Sequence, residues 1–324
     1  MENKILIFIA VALITTGAVI FVVVMSALGW DFTKLGTVKY ETNTYSATES
    51  FDSISINIDT ADIRLLPSES SDCRVVVHEN AKIKHEVSVV DGTLTVVTVD
   101  SRAWYDYISI GFSSQTVTVY LPEREYSKLF VRTSTGHVEV SSDFTFSALD
   151  VEVSTGDVTI ASSVTGNAKI KASTGSITVD GATLGSLDIT TTTGSITVED
   201  VNVTGSLKTA ASTGRTSLSN VGCKSLTSTA GTGNINLSDT VADESFSLET
   251  DTGSIRFDSC DAKEISAAAS TGSITGTLLT DKTFVADSST GTVDVPGGTA
   301  GGMCELSTDT GNIRISVVAA PYPG

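Results

Sequence analysis

The sequence predicts an all-β protein: a single-stranded parallel β-solenoid (β-helix) of 19–20-residue coils, preceded by one N-terminal transmembrane helix. Three observations carry the prediction. First, ten Thr-Gly dipeptides, from Thr135-Gly136 to Thr310-Gly311, fall in one register with successive spacings of 19 or 20 residues. A fixed period of this kind marks stacked structural repeats. Second, residues alternate around each glycine. The positions two and four after it are apolar in nine of ten copies each, as in Ile177 and Val179 after Gly175. The position seven before it is Leu, Ile, Phe, Ala or Cys. Period-two alternation means strands with one buried face. Third, the same residue returns at the same corner in every copy. A stack of coils requires this; a sandwich of antiparallel hairpins with unlike turns does not.

Each coil therefore holds one strand ending at Thr-Gly and one starting after it. Variable segments such as "DGATLG" (180–185) and "SDTVADE" (238–244) lie between them and absorb the one-residue length change. At about 4.8 Å per coil, ten coils make a rod of roughly 48 Å. Counting back by twos from Thr174 passes Ala172, Ile170 and Ala168, so the corner threonines are expected to point inward. Gly175 takes the bend because it adopts φ > 0 freely. Stacking also predicts neighbours: Asp150, Lys169, Asp188 and Lys208 occupy one outward column with alternating sign, and Arg132, Glu152 and Lys171 another. Ile196 is expected in the core.

The elements follow in order. Ile5 to Leu28 is a run of 24 residues without a charge, about 36 Å as a helix and enough to cross a membrane. It exceeds the apolar region of a secretory signal and lacks a small-x-small exit, so it reads as an uncleaved anchor (1–30) with Trp30 at the interface. Residues 31–50 are polar and read as a tether. Residues 51–130 form an irregular N-terminal β region and cap. An early coil without the glycine is visible in "ISINIDTADIRLL" (54–66), where Ala61 takes the glycine's place. "VSVVDGTLTVVTV" (87–99) fits either another coil or a hairpin around Asp91-Gly92. The aromatic stretch 101–114 fits a cap or a contact loop, since an open solenoid end must be covered. The regular repeats occupy 131–318. A short tail, 319–324, follows, and Pro321 and Pro323 fit a stop to the rod.

"FDSISINIDTADIRLLPS" (51–68), the "STGSITV" runs and "DTGNIRISV" (309–317) resemble the bacterial putative-adhesin β-strand-repeat family, a domain-of-unknown-function family related to GIN-head adhesin-like domains. The resemblance spans about residues 50–318. It implies a membrane-tethered or surface-exposed bacterial protein with no established enzyme mechanism, in some relatives beside cell-envelope stress systems.

The chemistry-bearing residues form no recognisable site. Lys plus Arg number 20 against 38 Asp plus Glu, a net charge of −18, which disfavours nucleic acid and anionic membrane surfaces. His78 and His85 have no zinc spacing around them, and His137 sits on an outward position. No nucleophile elbow, calcium nonapeptide or phosphate loop appears; "VPGGTAGGM" (295–303) reads as a plain loop. The outward acids Glu139, Glu152, Asp157 and Asp294 fall on distant coils, against a carbohydrate-cleaving β-helix enzyme. Cys73, Cys223, Cys260 and Cys304 are too many coils apart to bridge and are expected as free, mostly buried thiols. No catalytic, cofactor-binding or metal residue is nominated. The sequence points to a single-pass, extracytoplasmic structural or adhesive surface module, with an envelope protein or a glycan as its partner. An accessory or sensing component of an envelope stress response is the alternative, and a carbohydrate-active β-helix enzyme is carried behind both.

Overall fold

The Thr-Gly coils build a single stack of parallel strands. The computed structural model describes residues 2–35, 38–103, 114–298 and 300–318. A helix, α1 (Glu2–Ala27), contains the apolar run; Lys4–Ala27 is long and apolar enough to cross a membrane.

One regular coil shows the local logic. Ile177–Asp180 forms the first side, with Ile177 and Val179 inside. A bend follows six residues after the glycine, in the left-handed region. Gly181, Asp200, Asn220, Asp239 and Ser259 occupy it with φ of 46–63°. Glycine and short polar side chains bear that conformation at least cost. The variable segment then makes a short side of its own, whose inward residue is Leu184 in this coil and Val203 or Cys223 in later ones. Register slips by one residue just beyond it, for example between Leu184 and Leu187, so the 19- and 20-residue coils differ there, as the spacing requires. The longest side runs on to Thr-Gly with Leu187, Ile189 and Thr191 inside.

Strand register confirms the stacked columns. Asp150 lies beside Lys169, Lys169 beside Asp188, and Asp188 beside Lys208. Arg132 lies beside Glu152 and Glu152 beside Lys171. Ile196 is completely buried.

Both ends of the rod depart from simple sequential stacking. The first strands are β1 (Tyr40–Ala47), β2 (Ser53–Thr60), β3 (Asp62–Pro67), β4 (Cys73–Asn80), β5 (Ile83–Val90), β6 (Thr93–Asp100), β7 (Thr116–Leu121), β8 (Glu125–Thr135) and β9 (Val138–Val140). The β2–β3 coil is the early copy, and it stacks directly on the β8–β9 coil, with Ile63 beside Val138. Ala61 does stand against Gly136. Between these two coils the chain travels outward. β4 runs antiparallel beside β7, β1 antiparallel beside β4, and β5 and β6 form a hairpin whose turn, Asp91 (φ 48°) and Gly92 (φ 72°), is of the type that matches strand twist. β6 and β7 then cover the outer face of the β2–β3 coil. The polar stretch 31–50 thus contains a paired strand. Residues 104–113 of the aromatic stretch lie outside the described residues, as do residues 319–324 of the tail.

The opposite end repeats the device. Met303–Val317 stacks on the 261–278 coil, and Thr283–Asp294 sits on its far side. Twelve strands thereby stack along the long side, from β6 to Thr283–Thr290, a rod of roughly 55 Å. Its core is mostly aliphatic, with Tyr126, Phe144 and Phe146 packed together towards the capped end and Phe246 and Phe257 stacked at 6.5 Å further on.

Candidate functional site

The repeated corner itself is structural. The ten repeat glycines have φ between 142° and 156°, a region that side chains disfavour (143° at Gly175). A Cβ on Gly175 would lie 2.0 Å from the carbonyl oxygen of Gly156 in the coil below. Glycine is required there by backbone stacking as well as by φ. The corner threonines correct the expectation from counting: Thr174 and its equivalents are exposed. Alternation breaks after Ala172, and Ser173 and Thr174 both face outward as the chain turns. The threonines nevertheless stack in register, Thr155 beside Thr174 beside Thr193.

The residue after the glycine is also structural in several coils. There its side chain accepts a hydrogen bond from the backbone N–H of the next coil. Asp157 Oδ1 accepts from Ser176 at 2.8 Å, Asn234 Oδ1 from Ser254 at 2.8 Å and Ser254 Oγ from Ser273 at 3.2 Å. His137 belongs to this column: its Nδ1 accepts from the Asp157 N–H at 3.1 Å. The ring is exposed, and 3.7 Å separates Nδ1 from the Asp157 carboxylate.

The acids are dispersed and paired. Glu139 meets Arg64 at 3.4 Å, Glu152 meets Arg132 at 3.6 Å and Asp294 meets Arg314 at 3.5 Å. They lie on separate coils, so no two of these carboxylates share a reaction centre. Among the described residues no three of His, Cys, Asp and Glu gather as metal ligands. The four cysteines are free and buried. Burial pushes Cys73 and Cys260 up to about 11 and Cys223 and Cys304 up to about 12, the Asp243 charge adding to the effect at Cys223. Thiols held neutral in this way are poor nucleophiles. Residues 295–303 carry the return crossover, and a Cβ on Gly302 would lie 1.6 Å from the Lys263 carbonyl oxygen.

One polar cluster was missed by sequence reasoning. Glu79 and His85 are buried in the N-terminal cap, with Glu79 Oε2 2.8 Å from His85 Nδ1. The His85 N–H donates to the same oxygen at 2.6 Å, and Asn43 Nδ2 donates to Oε1 at 2.7 Å. The signal was present: Cys73, Val75, Val77 and Glu79 share the inward phase of β4. The cluster ties the ends of β1, β4 and β5 together. Each oxygen of the Glu79 carboxyl group has a partner, as a buried polar group requires.

A shallow groove of about 650 Å³ lies on the side of the rod. It spans the coils from Arg215 to Thr275 and is lined by Arg215, Asn234, Asn236 and Arg256, with serines between them and Asp258 on the rim. These are outward residues, the first, third and fifth after each glycine. Rigid strands hold their backbones in register, Ser217 beside Asn236 and Asn236 beside Arg256.

With this geometry defined, comparison with known proteins gives the family. The family model for Toastrack DUF4097 matches residues 51–212, half of the chain. The chain belongs to the Toastrack DUF4097 family. No curated protein matches it. Solved structures similar to it include one described as a "putative adhesin" from Bacteroides fragilis, at 17% identity, TM-score 0.39, over 86% of this chain and 97% of that one. A "putative lipid binding protein" from Parabacteroides distasonis matches at 14% identity, TM-score 0.49, over 87% and 98%. A further "putative adhesin" from Parabacteroides distasonis matches at 13% identity, TM-score 0.32, over 87% and 98%. The Toastrack match ends at residue 212, so the groove beginning at Arg215 lies beyond the matched residues.

Proposed function

We propose that this Toastrack protein is a membrane-anchored, extracytoplasmic rod acting as a structural and adhesive cell-surface module, without catalysis. The observation that carries the reading is the division of labour along each coil. Inward positions and corners are consumed by stacking, while the outward columns vary from coil to coil on a rigid frame. Such a scaffold presents a long polar surface and brings no set of reactive groups to one point. The anchor is Lys4–Ala27. Only twelve residues separate it from β1, so the capped end of the rod stays within about 40 Å of the bilayer surface. The surplus of 18 negative charges keeps neighbouring copies and anionic headgroups apart.

Two measurements test this. Protease treatment of intact cells is expected to remove rod epitopes, while the membrane fraction retains an N-terminal peptide containing Lys4–Ala27. Recovery of a mature protein starting after residue 28 overturns the anchor. Cells lacking the protein are expected to lose adhesion to a surface or partner cell; unchanged adhesion under all tested conditions overturns the adhesive role.

A further inference from the structure

The outward columns are not uniform. Near the capped end, the first and third residues after each glycine include His137, Glu139 and Asp157; near the other end they include Asp294 and Arg314. From Ser176 to Thr275 the same two columns contain no carboxylate, and they contain two arginines, Arg215 and Arg256. In a chain of net charge −18 this is a local reversal of sign. It coincides with the groove. Arg64, Arg132, Lys224 and Arg314, elsewhere on the rod's sides, each meet a carboxylate within 3.6 Å. Arg215 and Arg256 have neither ion pair nor hydrogen-bond acceptor among the described residues, and the Asn236 amide is equally free.

We propose that this groove binds an acidic glycan, a polysaccharide strand bearing carboxylates. The inference rests on the adhesive reading and assigns its contact site. Arg215 and Arg256 lie two coil steps and two residues apart, about 12 Å between backbones, and guanidinium groups take carboxylates through two parallel hydrogen bonds. Two such forks fit anionic groups spaced along a polymer better than one compact anion. Between them Asn236 and the serines present donors and acceptors to sugar hydroxyls. Asn234 Oδ1 is occupied by the Ser254 N–H, which turns its amide donors outward. Asp258 accepts from hydroxyls at the rim and repels an anion placed off register. The groove has no aromatic platform, so polar contacts and not ring stacking carry the affinity. One coil step is close to the length of one pyranose unit, which allows successive sugars to meet successive coils.

The test uses the full chain in nanodiscs and three probes: oligogalacturonate, the same oligosaccharide fully methyl-esterified, and inorganic polyphosphate. Oligogalacturonate is expected to bind, and each of Arg215→Gln and Arg256→Gln to weaken it about tenfold or more. Both sites are exposed on single strands, so melting is expected to be unchanged. Arg132→Gln, on another face, is expected to bind as the parent does. The esterified probe and polyphosphate are expected to bind at least tenfold more weakly. Equal binding of the ester, tighter binding of polyphosphate, unaffected arginine variants or no binding of oligogalacturonate would each overturn the assignment. The adhesive reading fails separately: arginine variants that still adhere sink only the glycan site, whereas oligogalacturonate binding by a protein whose loss leaves adhesion intact sinks only the adhesive role.

Discussion

Replacing Gly175 by alanine tests the corner directly. The backbone there has φ of +143°, and the new Cβ would lie 2.0 Å from the Gly156 oxygen and 2.6 Å from its carbon. Ordinary contact needs more than an ångström of extra separation, and the atoms in the way are backbone. Opening the two coils by that amount stretches the Gly156 N–H bond to Thr174 O and the Val158 N–H bond to Ser176 O, both 2.9 Å. Losing two such bonds costs about 2 kcal/mol, and the unfavourable φ adds about 1–3 kcal/mol. The expected destabilisation is about 3–5 kcal/mol. Gly181 supplies the control six residues away. Its φ is +63°, nothing lies within 4 Å of its Cβ position, and Asp, Asn or Ser fills the same place in later coils. Gly181→Ala is expected to cost about 1 kcal/mol, and Gly181→Asn less. Urea unfolding measures the difference. Hydrogen exchange locates it, because damage in a repeat protein stays with the affected neighbours: amides of 156–193 are expected to lose protection first. A Gly175→Ala variant within 1 kcal/mol of Gly181→Ala would refute the argument that the neighbouring coil's backbone, and not φ alone, demands glycine.

Three further outcomes are expected. Lys282 is 5% exposed and meets Asp261 at 2.7 Å where the chain crosses out to the last coil; Lys282→Met leaves that carboxylate without its cation, with only the Thr280 hydroxyl donating to it at 3.0 Å, and is expected to cost about 3 kcal/mol, with faster exchange in Met303–Val317, while adding Asp261→Leu restores much of the loss. Ile196→Asp places an unpaired charge at a fully buried site and is expected to cost several kcal/mol, opening the middle of the rod to proteolysis; an unchanged melting profile would contradict its position. The thiols, with folded pKa values of about 11 and about 12 against an ordinary value of 9.0, favour the folded state fully below pH 9; that contribution is lost as pH rises from 9 towards 11–12. The urea midpoint is therefore expected to fall above pH 9, and iodoacetamide at pH 8 to label the cysteines only on unfolding. A mass two protons short per cysteine pair would instead reveal disulfides.

What could be read from the sequence was whatever repeats. Period, strand phase, the charge columns and the core slot of Cys304 follow from counting, because every coil imposes the same sterics on its neighbour. Counting failed where the chain stops alternating. Thr174 lies on a turn where two successive side chains face out, and period-two reasoning carried across that turn assigned it to the core. The variable segments were read as connections, yet Leu184, Val203 and Cys223 are inward residues of a third side. Their two- or three-residue apolar pattern is too short to stand out. The groove was invisible for another reason. It depends on residues from separate repeats becoming neighbours and on the absence of carboxylates from two columns, which is evident only once those columns are aligned.

The order of coils at the ends was hidden more deeply. All coils share one stacking pattern, so pattern alone cannot decide which lies beside which. The spacing from Gly291 to Gly311 is 20 residues, the same as for coils that do follow in order. A trace remains in "VPGGTAGGM": Gly298 and Ala300 stand where the coil after Gly194 places the inward residues Val201 and Val203, so this segment lacks the bulk to fill a third side and is free to cross back. The physical consequence concerns fraying. The end of a parallel stack has an unpaired edge, and a chain terminus placed there would peel away first. Here the first coil strand after β1, Ser53–Thr60, lies between β6 and β8, and Met303–Thr310 lies between Ile265–Thr271 and Thr283–Thr290. Each entry and exit strand is hydrogen-bonded on both edges. A cation fastens each crossover: Arg124 donates to the Phe51 carbonyl and lies over the Phe51 and Tyr126 rings at 5.3 and 4.8 Å, and Lys282 holds Asp261. Peeling either end therefore requires breaking an internal coil first, which converts a frayed stack into a closed, cooperative rod.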